Sequence, residues 1–196
     1  MKLEMMDVSE IDIKQFSLDS DPAISALKAK AAASGSHVAL LSLAGETLAR
    51  RMIAKEAGVP ASSIVINAEP SGKPYAKGLD VFFNISHSGE IAICATDSRP
   101  VGADIQRIVG VRDKLLFRVY SAAERKYVYD DPDKSAERFA RLWSMKEAYA
   151  KREGNGIFGG KIFECRFENG EPAADYGDFS FVFPEAPEGY VIAVCS

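Results

Sequence analysis

Hydrophobic and polar residues alternate most regularly in the stretch Pro100–Gln106, which reads PVGADIQ. Apolar side chains at positions 101, 103 and 105 alternate with Gly102, Asp104 and Gln106, which is the period of a half-buried β-strand. Asp104 and Gln106 therefore project from the same face of this strand. An acidic side chain on a core-forming strand must be hydrogen-bonded, paired or bound to metal to offset its lost hydration. The pattern predicts that another part of the chain supplies a partner for Asp104.

Helical and strand-like patterns follow one another in the same order in both parts of the chain. Strong helix formers, apolar stripes and glycine or proline stops predict helices over residues 22–33, 38–57, 112–120, 122–129 and 134–153. Runs of β-branched and aromatic residues predict strands over residues 2–8, 63–68, 81–85, 91–96, 100–106, 161–167, 178–183 and 190–195. Helices followed by about three strands thus occur twice, in residues 1–97 and in residues 98–196. This order predicts an α+β protein with two similar α/β halves, one N-terminal and one C-terminal.

Composition and charge exclude several classes of protein. Apolar residues make up 47 % of the 196 positions and charged residues 27 %, which is ordinary for a soluble protein with a full core. A formal net charge of −4 argues against a protein that coats nucleic acid. Apolar runs are too short for a membrane span, and the N-terminus is too acidic for a signal peptide. Three isolated cysteines without a CxxC motif favour reduced core thiols, so we expect a cytoplasmic protein with no membrane partner.

Candidate chemistry is concentrated in the long helix predicted over residues 134–153. Glu147 and Lys151 are one helical turn apart and lie on the same face. An exposed ion pair on a solvated helix would explain this spacing equally well. The same stretch, however, carries the only tryptophan, Trp143, and is followed by a Gly-Asn-Gly loop that can expose backbone N–H groups.

Polar side chains that could bind phosphate are dispersed over several segments. His87 lies between two serines just after the predicted strand 81–85, and it is either a structural histidine or a phosphate donor. A serine-hydrolase pair of Ser86 and His87 is disfavoured, because adjacent residues seldom aim at each other and no GxSxG motif is present. Lys73 could be an ordinary loop lysine. Together with Arg50, His87 and Lys151 it instead forms a set of four cations or donors from separate segments.

Oxygen ligands are the third feature of the sequence. Asp104, Glu147 and Gln106 offer hard oxygen donors without supporting histidine or cysteine, which indicates magnesium rather than zinc. Magnesium usually takes one or two carboxylates and completes its shell with water and substrate phosphates. This donor set predicts chemistry at a phosphate ester or pyrophosphate. Glu124 belongs to a Ser121-x-x-Glu124 capping box, which explains it structurally without excluding a second role.

Five stretches of the chain resemble motifs of the Sfp-like 4′-phosphopantetheinyl transferases, and they occur in the family's order. They are GKPYAKG at 72–78, FFNISHSG at 82–89, PVGADIQ at 100–106, FRVYSAAE at 117–124 and WSMKEAYAKREGNGI at 143–157. With the helix that carries Arg50, the resemblance covers about residues 40–157. It implies the fold of that family, two similar α/β halves related by a pseudo-twofold, with coenzyme A bound between them.

The resemblance also implies an activity. Members of this family transfer the 4′-phosphopantetheine arm of coenzyme A to a serine of an apo acyl or peptidyl carrier protein and release 3′,5′-ADP. This chain would then be a holo-[carrier protein] synthase that requires Mg²⁺. Its partners would be coenzyme A and the carrier protein, and we expect a monomer.

Site residues follow from the same resemblance, position by position. Asp104 and Glu147 match the positions that bind Mg²⁺, and Glu147, or a water that it orients, would take the serine proton. Lys151 matches the lysine beside the pyrophosphate, and Glu124 matches a glutamate near the metal and the carrier surface. These three residues, Glu147, Glu124 and Lys151, are the expected catalytic set.

Coenzyme A contacts are implied in the N-terminal half. Lys73, Ser86 and His87 match positions around the adenosine phosphates, with His87 facing the 3′-phosphate. Arg50 matches a further contact with coenzyme A.

Gln106 departs from the family pattern, which usually has a second acid at this position. A glutamine oxygen can still coordinate Mg²⁺ or hold one of its waters, but it removes one negative charge from the shell. The alternative interpretation is therefore a coenzyme A- or carrier-binding protein with weakened or lost transfer. A third is another magnesium-dependent enzyme that cleaves pyrophosphates.

Overall fold

The computed structural model describes residues 1–9, 22–34 and 36–196 of the chain. It divides into two compact units, Met1–Val101 and Gly102–Ser196, whereas the sequence pattern predicts a division after residue 97. Both units mix helices and sheet. In the described part of the chain, no helix has the length and apolar character that a membrane span requires.

The first unit is built on a three-stranded antiparallel sheet with the order β1-β5-β4. Its elements are β1 (Lys2–Asp7), α1 (Pro22–Ser34), α2 (His37–Ala57), β2 (Ile66–Ala68), β3 (Pro74–Ala76), β4 (Phe82–Ser88) and β5 (Ile91–Asp97). Helix α2 packs its buried face, which includes Leu43, Leu48 and Ile53, into the core of this unit. Gly58 ends the helix in the left-handed conformation, with φ of 67°, and its N–H bonds the carbonyl of Ala54.

Strand β4 extends three residues further at its C-terminal end than the strand predicted over residues 81–85. Ser86, His87 and Ser88 pair with Ile93, Ala92 and Ile91 of β5, so the polar SHS stretch belongs to the strand and not to the connection. The turn is confined to Gly89 and Glu90, and Gly89 has a φ of 55°. Because side chains alternate along a strand, Ser86 is buried and His87 is exposed on the opposite face.

The second unit has a three-stranded antiparallel sheet with the order β6-β10-β9. Its elements are β6 (Gly102–Arg107), α3 (Asp113–Val119), α4 (Ala122–Tyr129), α5 (Ser135–Glu153), β7 (Phe167–Glu168), β8 (Glu171–Pro172), β9 (Phe181–Val182) and β10 (Tyr190–Cys195). Asp104 of β6 lies opposite Ala193 of β10. Helix α5 packs against both strands and ends at Gly154, which has a φ of 76°.

The predicted strand over residues 161–167 is wrong for its first six residues, which form no regular secondary structure. Backbone N–H groups of this segment donate to side chains and not to the backbone of a neighbouring strand. Glu124 accepts from the Cys165 N–H at 2.8 Å, and the Tyr176 hydroxyl accepts from the Arg166 N–H at 2.9 Å. Phe163 is held by ring contacts, including one with Tyr149 at 4.9 Å between centroids. The apolar, aromatic composition reflects burial in this cluster and not pairing in a sheet.

Gly102 allows β6 to approach α5 closely. A Cβ atom at this position would lie 2.0 Å from the Ala148 carbonyl oxygen and 2.3 Å from the Arg152 nitrogen, both in the backbone of α5. A helix backbone cannot move away as a flexible side chain can. Any larger residue here must therefore displace the helix from the strand that carries Asp104.

Gly102→Ala should lower the free energy of unfolding by about 1–3 kcal/mol, because it overpacks a contact between two backbones. Urea unfolding of the parent and the variant measures this loss. Gly160→Ala is the matched control, since a Cβ there meets no atom within 4 Å and the change should stay within about 0.5 kcal/mol. Equal midpoints for the parent and Gly102→Ala would contradict the close contact of β6 and α5.

Candidate active site

Asp104 is held by two side chains of helix α5. Lys151 Nζ donates to Asp104 Oδ1 at 2.6 Å and lies 3.3 Å from the carbonyl oxygen of Ala103. The Ser144 hydroxyl donates to the backbone carbonyl of Asp104 at 3.0 Å. Asp104 itself is only 5 % exposed, so the ammonium group compensates a carboxylate that has lost most of its hydration. The partner that the strand pattern requires for Asp104 is thus Lys151.

Glu147 lies one turn before Lys151 on the same helix and is half-buried. Burial raises the pKa of Glu147 above its ordinary value of 4.5, and the neighbouring Asp104 carboxylate raises it further. The Lys151 ammonium acts in the opposite direction. Asp104, Glu147 and Lys151 are therefore close enough to influence one another electrostatically, and two of the three carry negative charge.

This cluster fits a hard divalent cation. Among the described residues, no group of three or more His, Cys, Asp and Glu side chains could hold a metal. Magnesium needs fewer protein ligands, because water and phosphate oxygens complete its shell. Burial is the main cause of the raised pKa of Glu147, and repulsion by Asp104 adds to it. A cation between the two carboxylates would relieve that repulsion.

Gln106 follows Asp104 by two residues on β6 and is half-buried. Its amide nitrogen donates to the carbonyl oxygen of Arg107 at 3.1 Å. The side chain also lines a small surface cleft together with Trp143 of α5. The amide is thus oriented along the strand, next to the face of α5 that carries Trp143.

Glu124 has both oxygens engaged inside the second unit. The predicted capping box is confirmed: the Ser121 N–H donates to Glu124 Oε2 at 2.7 Å, and the Glu124 N–H donates to the Ser121 hydroxyl at 3.3 Å. Oε1 accepts from Lys146 Nζ at 2.6 Å and from the Cys165 N–H at 2.8 Å. Glu124 is fully buried, so these hydrogen bonds replace water in stabilising its negative charge.

Lys146, the buried partner of Glu124, was not among the site residues predicted from the sequence. It is only 1 % exposed and also donates to the carbonyl oxygen of Phe163. A signal for its burial exists in the sequence, because it lies seven residues after Phe139 and four after Leu142, on the apolar stripe of α5.

The proposed coenzyme A contacts of the first unit lie on three different elements. Arg50 of α2 is 5 % exposed and donates to Glu46 at 3.0 Å and to the carbonyl oxygen of Ile64 at 2.7 Å. Lys73 is half-buried in the turn that connects β2 with β3. Ser86 and His87 point to opposite faces of β4, so they cannot act as one pair.

Stability should depend on pH through Glu147. Because the native pKa of this carboxyl lies above its value in the unfolded chain, ionisation destabilises the native state as pH rises from about 4.5. Glu147→Gln cannot ionise, so without metal it should be more stable than the parent at pH 7, and this advantage should vanish near pH 4. Urea unfolding at both pH values measures the difference.

Glu137→Gln on the same helix is the control for that experiment. Glu137 is exposed in the first turn of α5, where a negative charge interacts favourably with the helix dipole. Its replacement should lower the stability slightly at pH 7, opposite in sign to Glu147→Gln. If Glu147→Gln is no more stable than the parent at pH 7, the carboxylate is not destabilised by its surroundings.

Comparisons with known proteins agree with the motifs. Residues 100–195 match the model of the 4′-phosphopantetheinyl transferase superfamily, and residues 36–99 match that of a 4′-phosphopantetheinyl transferase N-terminal domain. The chain is 38 % identical over 117 residues to 4′-phosphopantetheinyl transferase Sfp of Bacillus subtilis (strain 168), covering 59 % of this chain and 52 % of that protein.

A second relative is covered more fully. The chain is 35 % identical over 167 residues to 4′-phosphopantetheinyl transferase psf-1 of Bacillus pumilus, covering 79 % of this chain and 70 % of that protein. The match to Sfp, and to a further 4′-phosphopantetheinyl transferase of Bacillus subtilis, spans about half of the length of each of these two relatives. On the two family models and this coverage, the chain belongs to the 4′-phosphopantetheinyl transferase superfamily.

Proposed function

We propose that the protein transfers the 4′-phosphopantetheine arm of coenzyme A to a serine hydroxyl of an apo acyl or peptidyl carrier protein. The serine oxygen forms the new bond to the phosphorus that bears the arm, and the bond from that phosphorus to the leaving 3′,5′-ADP breaks. The observation that carries this proposal is the cluster of Asp104, Glu147 and Lys151, which combines two carboxylates with a phosphate-binding cation.

Glu147 is the proposed base for the serine proton. A carboxyl whose pKa is raised holds a proton more readily than an ordinary glutamate, which suits a group that must accept one at neutral pH. Lys151 is proposed to donate to the pyrophosphate of coenzyme A, in exchange for its present bond with Asp104. Glu147, directly or through an oriented water, would then pass the proton to solvent.

Asp104 and Glu147 are the residues that would hold Mg²⁺, with the Gln106 amide oxygen contributing directly or through a water. When bound there, the ion would neutralise the negative charge that develops on the attacked phosphorus and on the leaving group. Family membership and the oxygen-only donor set support this assignment.

Coenzyme A recognition is proposed to use the first unit as well. Lys73 and His87 would contact the phosphates of the adenosine part, and the exposed His87 would face the 3′-phosphate. Ser86, also implied by the resemblance, is buried on the opposite face of β4, so its side chain would not share the contact of His87. Arg50 already bonds Glu46 and Ile64, so its contact with coenzyme A would add to bonds that fix its guanidinium plane.

We also propose that the two units are similar halves of one duplicated plan. Each has a three-stranded antiparallel sheet and one long helix, of 21 residues in α2 and 19 in α5. Cys94, Cys165 and Cys195 are buried thiols that form no disulfide, which supports a cytoplasmic location. Two such halves in one chain would be self-sufficient, so we propose a monomer.

Intact-mass analysis of a panel of apo carrier proteins, incubated with coenzyme A and Mg²⁺, tests the proposed transfer. We expect one carrier serine to gain the mass of the arm with the parent protein and no gain with Asp104→Asn. Asp130→Asn, which changes an exposed aspartate after α4, is the matched control and should retain transfer.

Two other results would contradict the transfer. Binding of coenzyme A without a mass gain on any carrier would indicate a binding protein that has lost transfer. Release of 3′,5′-ADP without carrier modification would indicate a hydrolytic enzyme that cleaves the pyrophosphate.

A magnesium titration of the transfer rate tests the role of Gln106. Gln106→Glu adds a negative charge to the proposed shell, so half-saturation should occur at a several-fold lower Mg²⁺ concentration. Gln106→Met keeps the length of the side chain but removes its oxygen, and it should shift half-saturation in the opposite direction. Equal half-saturation in all three proteins would exclude Gln106 from the metal shell.

A further inference from the structure

The most deeply buried charges among the described residues form an ion pair outside the cluster of Asp104, Glu147 and Lys151. Glu124 and Lys146 are 0 % and 1 % exposed, and Lys146 Nζ lies 2.6 Å from Glu124 Oε1. A buried ion pair seldom stabilises a protein more than apolar side chains of similar size would. Its presence therefore calls for a role other than stability.

Directed hydrogen bonds from this pair join three segments of the second unit. Glu124 accepts from the Ser121 N–H at the start of α4 and from the Cys165 N–H in the irregular segment. Lys146 of α5 donates to Glu124 and to the carbonyl oxygen of Phe163 in that same segment. Each bond has a fixed direction, unlike an apolar contact, so the pair specifies the position of the α5 backbone at Lys146.

The second anchor of α5 is on another side of the helix. Ser144 donates to the Asp104 carbonyl at 3.0 Å, and Lys146 follows two residues later, about 200° around the helix axis. Two anchors on different sides prevent rotation of the helix about its axis. Glu147 and Lys151 lie about 60° and 20° from Ser144 around that axis, on the side that faces β6.

We propose that Glu124 and Lys146 form a positioning pair that sets the rotation of α5 and so holds Glu147 and Lys151 against Asp104. Neither side chain touches substrate in this proposal. Glu124, expected from family resemblance to be catalytic, acts through Lys146. The inference rests on the proposed transfer for its effect on rate, but its effect on the contact of Asp104 with Lys151 is independent of any activity.

The double variant Glu124→Gln/Lys146→Met separates positioning from stability. Removing both charges leaves no uncompensated charge in the core, and glutamine can still accept the Ser121 N–H of the capping box. We expect its urea midpoint to lie close to that of the parent. Transfer should nevertheless fall about 10- to 100-fold in kcat, as for a small displacement of reacting groups.

A matched control comes from the exposed ion pair that Arg141 of α5 forms with Glu171 at 3.0 Å. Arg141→Met/Glu171→Gln likewise replaces a cation of α5 by methionine and its glutamate partner by glutamine, and it should leave kcat unchanged.

A double-mutant cycle of Asp104→Asn and Lys151→Met, measured by urea unfolding without ligand, gives a second and activity-independent measurement. The coupling between these two residues should be present in the parent and in the control, and lost in Glu124→Gln/Lys146→Met. If the parent transfers nothing to any carrier, this cycle still tests the positioning. If the pair were purely structural, the coupling of Asp104 with Lys151 would stay intact in a double variant that is as stable as the parent.

Retention of both kcat and the coupling in the stable double variant would overturn the proposal. If that variant does not fold, Glu124→Asp carries the same two measurements, because it keeps both charges in the core but shortens the acid by one methylene. Parent-like kcat and coupling in Glu124→Asp would likewise overturn the proposal, and their joint loss would support it.

Discussion

Close packing of helix α5 against strand β6 is the constraint on which the second unit depends. Gly102 lets the two backbones approach, and the Ser144 hydroxyl bonds the Asp104 carbonyl across the contact. Lys151, about two turns after Ser144 on α5, then meets the carboxylate of the same Asp104. Backbone proximity therefore comes first, and the polar cluster is possible only because the helix lies this near to the strand. A site on two regular elements is also more rigid than one carried by loops.

Two groups of buried charge in this unit differ in how well they are compensated. The carboxylate of Glu124 accepts hydrogen bonds on both oxygens, from Lys146, Cys165 and Ser121. The carboxyl of Glu147, by contrast, is partly desolvated and repelled by a neighbouring acid, which raises its pKa. Unfavourable electrostatic interactions are therefore concentrated at Glu147, where a ligand could relieve them. The ion pair of Glu124 with Lys146 is fully compensated by hydrogen bonds. This division is typical of functional sites in otherwise stable folds.

Local sequence signals predicted the helices and the β6 pattern well, because caps and periodicity act over a few residues. Gly58, Gly154 and the Ser121–Glu124 capping box are features of this kind. Interactions between distant residues were not accessible from the sequence. The stretch 161–166 has strand composition, yet its backbone donates to the side chains of Glu124, 41 residues from Cys165, and of Tyr176, 10 residues from Arg166. The partner of Lys146 could not be predicted for the same reason: the apolar stripe indicates that this lysine is buried, but only the folded unit brings it to Glu124.

The ion pair of Lys151 with Asp104 affects how a highly charged ligand would meet the protein. With all three groups ionised, Asp104, Glu147 and Lys151 together carry one negative charge, so a polyphosphate that arrives alone is repelled. A divalent cation held by Asp104 and Glu147 would make the local charge positive, and Lys151 could then bind the phosphate. Cation and polyphosphate would therefore bind with positive coupling, each raising the affinity for the other by the same factor.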